Sequence, residues 1–252
     1  MQITYETVAA PGRPHNEDHV IGGPTWVAIL DGATAAHGVD SGCIHDVPWL
    51  VARLAAALAH GLVTQPAVSL PDILAEAIKM TMAVHADTCD LANPDSPSST
   101  VAVLRQRDET VDYLVLCDSP IALQRADGTL TVVDDDRTDH LPSGRPYSRE
   151  LVRSLRNHSD GFWVASTNPQ AAYEALTGSV PLATVTGALL LTDGVTRLVE
   201  AYGHSWEQLV ATAAADGSGQ LIAQVREAEV EYGPPYPAAK AHDDATAVWV
   251  DW

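Results

Sequence analysis

The sequence predicts an α+β fold in a single domain, residues 1–252, and three observations predict it. Two long amphipathic segments follow one another, four short strand-like segments with tight turns come next, and further helical segments precede a last apolar strand. Successive helices of this kind pair and cover one face of a sheet, whereas consecutive short strands form an antiparallel meander. No stretch is rich enough in Gly, Ser or Pro to separate two domains, and no internal repeat is visible.

The first half of the chain supplies an edge strand, a buried strand and the helix pair. Residues 4–9 alternate in part between apolar and polar side chains, as edge strands do. Residues 26–30 form a continuous apolar run, which the pair beginning at Asp31 is expected to close in a turn. Leucine recurs at every fourth position across residues 50–62, which gives the first helix its apolar face. Ser69 is expected to cap the second helix.

The second half of the chain alternates sheet and helix. A loop is expected at residues 93–99, and the acidic interval at residues 134–147 is predicted to be a surface loop. Strands are expected at residues 100–104, 111–116, 121–124, 130–133, 162–165, 185–192 and 246–252. Helices are expected at residues 149–157, 169–176, 206–214 and 221–232.

The composition is that of a globular protein, with 46% hydrophobic and 19% charged residues. The 14 Lys and Arg residues against 33 Asp and Glu residues give a formal charge of −19, whose field repels polyanions, so no nucleic acid partner is expected. No apolar run is expected to reach the length of a membrane span, and residues 1–6 lack the features of a signal peptide. These observations predict a cytoplasmic protein with no membrane partner. They leave the oligomeric state open.

The cysteines and histidines give no clear zinc signature. Cys43, Cys89 and Cys117 are too few and too scattered for a disulfide framework or a Cys-x-x-Cys site, so reduced, packed thiols are expected. His15 and His19 are four residues apart, but they lie on a segment without a helical apolar period and without partnered cysteines. A zinc site is therefore disfavoured.

Acidic residues gather where predicted strands end. Asp31 follows residues 26–30, Asp193 follows residues 185–192, and an acidic pair precedes the last strand. Hard carboxylate oxygens suit Mg²⁺ or Mn²⁺ rather than zinc, and a nearby arginine, Arg13, can grip a phosphate through its planar guanidinium. The alternative is a set of ordinary turn acids, since Asp-Gly is common in turns. The matched context of Asp31 and Asp193 favours metal ligands.

Taken in order, these pieces form a series of motifs that covers nearly the whole chain. The series is Arg13-x-x-Asn-Glu-Asp18, Asp31-Gly32, Ser98-Ser-Thr100, Leu116-Cys-Asp-Ser119, Asp139-His140, Leu191-Thr-Asp-Gly194 and Asp243-Asp-Ala-Thr246. It resembles the metal-dependent PP2C (PPM) family of serine/threonine phosphatases, bacterial type, in the order of its motifs. The resemblance implies a four-layer αββα sandwich of two mainly antiparallel sheets flanked by helix pairs, which agrees with the elements predicted above.

The resemblance also implies roles for individual residues. Asp31 matches the aspartate that bridges two metal ions, and Asp118 matches the acid that joins Asp193 in an extra metal site of bacterial members. Arg13 matches the arginine that binds the phosphate. The metal ligands implied in this way are Glu17, Asp18, Asp31, Gly32 through its backbone carbonyl, Asp118, Asp193 and Asp243.

The activity that the resemblance implies is hydrolysis of phosphomonoesters with two Mn²⁺ or Mg²⁺ ions, or three if the site at Asp118 binds one. Two such ions can activate a shared water for in-line attack on phosphorus, while Arg13 offsets charge on the phosphate oxygens. No phosphoenzyme is expected, because no side-chain nucleophile is needed. Phosphoserine and phosphothreonine in proteins are the expected substrates. Two alternatives stay open: a phosphatase of a small metabolite, and a regulatory protein of the same fold with little turnover.

Four positions depart from the family pattern. Ala33 stands where many members carry a histidine proposed as general acid, which leaves His15, His37 or a metal-bound water as proton donor. Cys117 and Pro120 replace a glycine and an arginine around Asp118, which weakens the case for the extra metal, and Asp244 replaces an asparagine. The Asp244 carboxylate is expected either to tighten metal binding or to face solvent.

Overall fold

The computed structural model describes residues 1–33, 38–236 and 239–252, and the structural statements below concern these residues. The strands are β1 (Gln2–Val8), β2 (His19–Gly23), β3 (Trp26–Leu30), β4 (Gly32–Ala33), β5 (Ser98–Ser99), β6 (Val101–Arg107), β7 (Thr110–Leu116), β8 (Ile121–Arg125), β9 (Leu130–Val133), β10 (Leu176–Pro181), β11 (Val185–Leu191) and β12 (Ala245–Asp251). The α-helices are α1 (Val47–Thr64), α2 (Leu70–His85), α3 (Arg149–Leu155), α4 (Asp193–Glu200), α5 (Trp206–Asp216) and α6 (Ser218–Tyr232). Short 3₁₀ helices lie at Asp136–His140, Pro169–Glu174 and Leu182–Thr184.

The strands form two five-stranded sheets, and their strand pairings are antiparallel. The first sheet has the order β1-β12-β11-β8-β9, and the second has the order β10-β7-β6-β3-β2. A short ladder pairs β4 with β5, with Gly32 opposite Ser99. The turn expected at Asp31-Gly32 is therefore replaced by a second short strand. The backbone N–H of Thr100 donates to the carbonyl of Asp31 at 2.9 Å, which fixes the point where the chain leaves β3.

Alternating side chains along the strands separate three hydrophobic cores. On β3, Val27 and Ile29 pack between the two sheets, whereas Leu30 packs against α1 and α2. On β12, Val248 packs between the sheets, whereas Trp249 packs in the core formed with α4, α5 and α6. The layer order is helices, sheet, sheet, helices. The predicted α+β class with four layers is confirmed, with α4 added to the helix pair on one face.

The helices α1 and α2 begin at residues with capping side chains. Ser69 caps α2 as predicted, and its Oγ accepts a hydrogen bond from the backbone N–H of Asp72 at 3.3 Å. Asp46 caps α1, and its Oδ1 accepts from the backbone N–H of Trp49 at 3.0 Å. Both helices bury an apolar face against the second sheet. They form the antiparallel pair that the sequence pattern indicated.

Helix α1 is apolar over much of its length. Its 18 residues have a mean hydropathy of 1.4 and satisfy the length and composition of a membrane-spanning helix, which corrects the expectation that no segment reaches that length. Arg53 and His60 interrupt the apolar run in the sequence, but the mean hydropathy of the helix stays high enough for a membrane-spanning helix. In the fold, the face that carries Leu54 and Leu58 is buried against the sheet and α2, as in the core helix of a globular domain.

Several elements differ from the prediction. Strands β2 and β10 were not predicted, because both are edge strands with few buried side chains and no clear alternation. Helix α4 begins at Asp193, where a turn was expected. Residues 162–165 form isolated bridges rather than a strand, and residues 169–176 divide into a 3₁₀ helix and the first residue of β10.

Candidate active site

Five aspartates converge near the ends of strands from both sheets. Asp31 follows β3, Asp118 lies just beyond β7, and Asp193 follows β11 as the first residue of α4. Asp18 and Asp243 lie just before β2 and β12. The charges of the other four all act on the carboxyl group of Asp31, so they lie in its immediate electrostatic neighbourhood. The structure thus brings together five of the carboxylates that the sequence motifs contain; they are called the aspartate cluster below.

Burial and mutual repulsion favour the neutral forms of these carboxyl groups. Burial, followed by the charges of Asp18 and Asp193, raises the pKa of Asp31 well above its ordinary value. Burial and then the charge of Asp243 raise the pKa of Asp193 to about 7. Burial also raises the pKa of Asp18 to about 7, although hydrogen bonds from two threonine hydroxyls act in the opposite direction. A bound cation would relieve the repulsion within this cluster.

The side chain of Asp18 is held by those two hydroxyl groups. Its Oδ2 accepts hydrogen bonds from Oγ1 of Thr192 at 2.8 Å and from Oγ1 of Thr246 at 2.7 Å. Its Oδ1 is buried and has no hydrogen-bond partner in the part of the chain that the structure describes. A carboxylate with one oxygen anchored and the other unsatisfied is suited to bind a metal ion or one of its waters. The cluster therefore fits divalent cations that prefer oxygen ligands.

Two positively charged side chains donate hydrogen bonds to the carboxylate of Asp243. Arg197 Nη2 donates to its Oδ2 at 3.1 Å, and Lys240 Nζ donates to its Oδ1 at 3.0 Å. Arg197 is buried and also donates from Nη1 to Glu229 Oε1 at 2.9 Å. Glu229, whose side chain is fully buried, accepts a further hydrogen bond from Arg226 at 2.9 Å. A chain of ion pairs therefore runs from α6 through α4 to the aspartate cluster.

Replacing Glu229 by alanine is expected to destabilise the protein by about 3–5 kcal/mol, because the buried guanidinium of Arg197 would lose one of its two carboxylate partners. Chemical denaturation at neutral pH measures the change. Glu227→Ala is the matched control, since Glu227 is exposed on the same helix, and its effect is expected to stay within about 0.5 kcal/mol. Equal stabilities of the two variants would contradict the role assigned to Glu229.

Asp244 accepts hydrogen bonds from the segment that carries Glu17 and so holds this segment beside the site. Its Oδ1 accepts from the backbone N–H of Ala10 at 2.7 Å, and its Oδ2 accepts from the backbone N–H of Glu17 at 2.6 Å. The N–H of Gly32 donates to the carbonyl of Glu17 at 3.2 Å. A Cβ at position 32 would lie 2.7 Å from that oxygen, so the close approach requires glycine. Asp244 is buried, which corrects the expectation that it faces solvent, and its charge acts on Asp18, so an effect on metal binding stays a prediction.

Arg13 lies on the exposed connection between β1 and β2. Its backbone N–H donates to the carbonyl of Ala10 at 3.0 Å, and its side chain is open to solvent. No hydrogen bond or ion pair to its guanidinium is found among residues 1–33, 38–236 and 239–252. The group is thus available to an anionic ligand.

A cavity of about 590 Å³ adjoins Asp118 and Asp193. Asp134 lines it, and burial followed by the charge of Glu200 raises the pKa of Asp134 to about 6. The next residue, Asp135, is 3% exposed and accepts hydrogen bonds from the Arg137 guanidinium. The interval 134–147 was predicted to be a surface loop, but its first residues form a wall of the site. Other charged residues that line the cavity are Asp136, Asp139, Arg145, Arg197, Glu200, Lys240 and Asp243.

Cys117 adopts a backbone conformation that favours glycine. Its φ is 66°, in the left-handed region, and its N–H donates to Asp135 Oδ2 at 2.8 Å. The glycine that the family motif carries at this position is explained by that conformation. Cys117 replaces that glycine but keeps the left-handed backbone conformation that precedes Asp118.

Several residues that support the site had no predicted function. Thr192 and Thr246 are parts of the quoted motifs, and their positions beside predicted ligands were a usable signal. Arg197 lies four residues after Asp193, but its role depends on α4, which was not predicted. Lys240 has no motif of its own. His37, a candidate proton donor, lies outside the described residues.

Comparison with known proteins agrees with this architecture. A solved structure of the serine/threonine phosphatase PstP/Ppp from Mycobacterium tuberculosis is 20% identical, with a TM-score of 0.64 over 99% of this chain and 97% of that one. A PstP catalytic domain in complex with two manganese ions is 18% identical, with a TM-score of 0.63 over 99% and 97% of the chains. The phosphatase Stp1 from Staphylococcus aureus is 13% identical, with a TM-score of 0.64 over 100% and 94%. At these identities the likeness establishes the fold.

The family is established by sequence. A search of curated proteins finds no match. A family model described as protein phosphatase 2C matches residues 16–226, a range that includes Glu17, Asp18, Asp31, Asp118 and Asp193. With this match over most of the chain and the sandwich of two sheets already described, the chain belongs to the protein phosphatase 2C family.

Proposed function

We propose that this protein hydrolyses phosphoserine and phosphothreonine in proteins, with two Mn²⁺ or Mg²⁺ ions held by the aspartate cluster. The observation that carries the proposal is the cluster itself, in which burial and repulsion raise the pKa of Asp18, Asp31 and Asp193. Five carboxylates packed together need cations or protons to balance their charge. The PstP domain of the same fold is in complex with two manganese ions.

The carboxylate and carbonyl oxygens at the site suit Mn²⁺ or Mg²⁺ as ligands. Asp31 is proposed to bridge them because four other aspartates of the cluster act on its carboxyl group. Asp193 and Asp243 are proposed to hold one ion, and Glu17 and Asp18 to hold the other, largely through water. The carbonyl of Gly32 is proposed as a further ligand. Asp118, which accepts a hydrogen bond from Thr138 at 3.3 Å, is proposed to join Asp193 at a third ion.

Divalent ions bound here would supply an activated water and positive charge for the phosphate oxygens. The protein's own residues prepare that chemistry. Thr192 and Thr246 fix the orientation of Asp18, and Arg197 and Lys240 fix that of Asp243. Pre-ordered ligands of this kind need little rearrangement when the substrate arrives.

Arg13 is proposed to bind the phosphate of the substrate. Its guanidinium is exposed, and its planar fork can donate two hydrogen bonds to phosphate oxygens. The net charge of −19 repels anionic substrates, so local positive charge must hold the phosphate in place. Ala33 cannot donate a proton. His15, exposed two residues after Arg13, is proposed as one source of the proton for the leaving group, and water is the other.

A surface beside the cluster favours a protein substrate. A second cavity of about 400 Å³ lies next to Ala33 and Asp118, and Tyr147, Phe162 and Val164 are among the residues that line it. An apolar depression next to the reaction site can hold a side chain that flanks a phosphorylated residue. A small, highly charged metabolite has no such side chain to place there.

The experiment compares rates on a panel of phosphoserine and phosphothreonine peptides with rates on a panel of phosphorylated metabolites, both with Mn²⁺. We expect kcat/KM to be highest for peptides with an apolar residue next to the phosphorylated one. A preference of several orders of magnitude for one metabolite would refute the protein-phosphatase proposal. Absence of turnover on both panels, with metal bound, would favour the regulatory alternative.

A further inference from the structure

Two cysteines and a histidine from distant parts of the chain meet near the ends of α1 and α2. Cys43 lies in the segment before α1, His85 is the last residue of α2, and Cys89 follows it. The Sγ of Cys43 lies 3.0 Å from the Sγ of Cys89 and 3.6 Å from Nδ1 of His85. The three donor atoms all lie within 4.8 Å of one another. One ion with bonds of about 2.3 Å to sulfur and about 2.0 Å to nitrogen can reach all three.

His85 is buried but poorly satisfied. The residue is 2% exposed, its Nδ1 faces the sulfur of Cys43, and its Nε2 is buried without a hydrogen-bond partner in the described part of the chain. Burial, followed by the charge of His45, lowers the pKa of His85, so the ring is neutral at physiological pH. A neutral imidazole with an available lone pair is a metal ligand. The nitrogen placed to bind the ion is Nδ1, where a metal–nitrogen bond would replace the weak contact with the Cys43 sulfur.

The surroundings of the two thiols favour negative charge on Cys89 rather than on Cys43. Burial acts to raise the pKa of Cys89, but the hydrogen bond with Cys43 and the backbone N–H groups of Ile44 and His45 outweigh it and lower that pKa. Burial and the hydrogen bond with Cys89 raise the pKa of Cys43 to about 11. Cys89 is therefore the more acidic of the two thiols. Backbone N–H groups directed at sulfur stabilise the thiolate form that binds metals.

We propose that Cys43, His85 and Cys89 bind one Zn²⁺ ion, at a site separate from the aspartate cluster. Two thiolates and an imidazole suit zinc, whereas the carboxylates of the cluster suit Mg²⁺ and Mn²⁺. Binding releases the protons of the thiols to solvent as both become thiolates, and water completes the four-coordinate site. Both cysteines are only partly buried, so the ion can enter from solvent. The site does not depend on the proposed phosphatase activity.

The bound ion would stabilise the segment before α1, which carries Cys43. That segment is already joined to the end of α2 by a hydrogen bond from the Asp90 N–H to the Gly42 carbonyl, at 2.7 Å. Zinc would add a bond at each of three side chains and close a loop between Cys43 and Cys89. Reduced, packed thiols were expected from the sequence. Their meeting was not predicted, because the two cysteines are 46 positions apart in the sequence and only the α1–α2 hairpin brings them together.

The test uses Co²⁺ as a spectroscopic probe on the reduced, metal-stripped, full-length protein. We expect thiolate-to-cobalt charge-transfer bands in the near ultraviolet and intense visible bands of tetrahedral cobalt, saturating at one ion per chain and lost when one equivalent of Zn²⁺ is added. The aspartate cluster offers only oxygen donors. Cobalt bound there cannot give the thiolate bands, so the readout separates the two sites.

Three serine variants identify the ligands. Cys43→Ser and Cys89→Ser are expected to lose the thiolate bands, whereas Cys117→Ser, which removes the third cysteine of the chain, is expected to keep them. Circular dichroism checks that each variant is folded. A second measurement on the wild type does not depend on the variants: one equivalent of Zn²⁺ should protect Cys43 and Cys89, detected by mass spectrometry, from alkylation.

Two results would overturn the proposal. One is the absence of thiolate bands when Co²⁺ is added to protein whose three cysteines are reduced. The other is a disulfide between Cys43 and Cys89 that forms in the purified protein at the same rate with and without Zn²⁺. Thiolate bands that persist in both Cys43→Ser and Cys89→Ser would likewise show that these side chains are not the ligands.

Discussion

Asp31→Asn is expected to lower kcat/KM for metal-dependent phosphate ester hydrolysis on the order of 10³-fold or more. Two divalent ions contribute several kcal/mol to the stabilisation of transition-state charge, and each 1.36 kcal/mol corresponds to a factor of ten in rate. An amide is a poor bridge between two cations, because it is neutral and only one of its two atoms accepts. Steady-state rates on an aryl phosphate, with Mn²⁺ varied, measure the loss.

The same substitution is expected to stabilise the metal-free protein. Burial and the charges of neighbouring aspartates raise the pKa of Asp31, so its carboxylate form is unfavourable in the folded state without metal. The melting temperature of metal-free Asp31→Asn should therefore exceed that of metal-free wild type, while added Mn²⁺ should stabilise only the wild type. Asp216→Asn, at the exposed end of α5, is the matched control and should change neither quantity. Full activity in Asp31→Asn would place the catalytic centre elsewhere.

Without metal, the protein is expected to lose stability as the pH rises from about 4 through about 7. An unfolded aspartate has a pKa of about 3.9, whereas the folded-state pKa is about 7 for both Asp18 and Asp193. Between these values the folded state binds more protons than the unfolded state, so the free energy of unfolding falls with increasing pH. The slope is about 1.4 kcal/mol per pH unit for each extra proton that the folded state binds.

Mn²⁺ is expected to reverse this dependence. Metal ions bind the deprotonated carboxylates, so affinity should rise with pH until Asp18 and Asp193 are ionised, near pH 7. Unfolding curves at several pH values from 5 to 8, with and without Mn²⁺, should diverge as the pH increases. A metal-free protein that gains stability between pH 5 and 7 would contradict the proposed state of the aspartates. Asp31→Asn, which removes one acid of the cluster, should show a shallower dependence.

Much of the fold followed from local patterns in the sequence. The helix capped by Ser69 and the apolar strands β3 and β11 have strong periodicity or long buried runs. The edge strands β2 and β10 do not, since their pairing depends on a neighbour that the local sequence does not reveal. Helix α4 begins at Asp193 with glycine as its second residue, a pair that locally indicates a turn.

About as much of the candidate site as of the fold could be predicted from the sequence. Asp31 and Asp193 stand out because each follows an apolar strand, and the order of the motifs indicated which other acids belong with them. The buried position of Asp244 was not predicted, because its partners, the N–H groups of Ala10 and Glu17, lie more than 200 residues away in the chain. Contacts of this kind depend on how β1 lies beside β12, which only the folded structure provides.

Hydrolysis of a phosphothreonine peptide by metal-stripped protein, followed during stepwise addition of Mn²⁺, tests most directly whether the aspartate cluster is a binuclear phosphatase centre. We expect no turnover without metal and a rise that reaches its maximum only after two ions per chain are bound at the cluster. Zn²⁺ kept at one equivalent during the titration would fill the proposed cysteine site. Full turnover in the metal-free protein, or none with both ions bound, would contradict a phosphatase mechanism at this cluster.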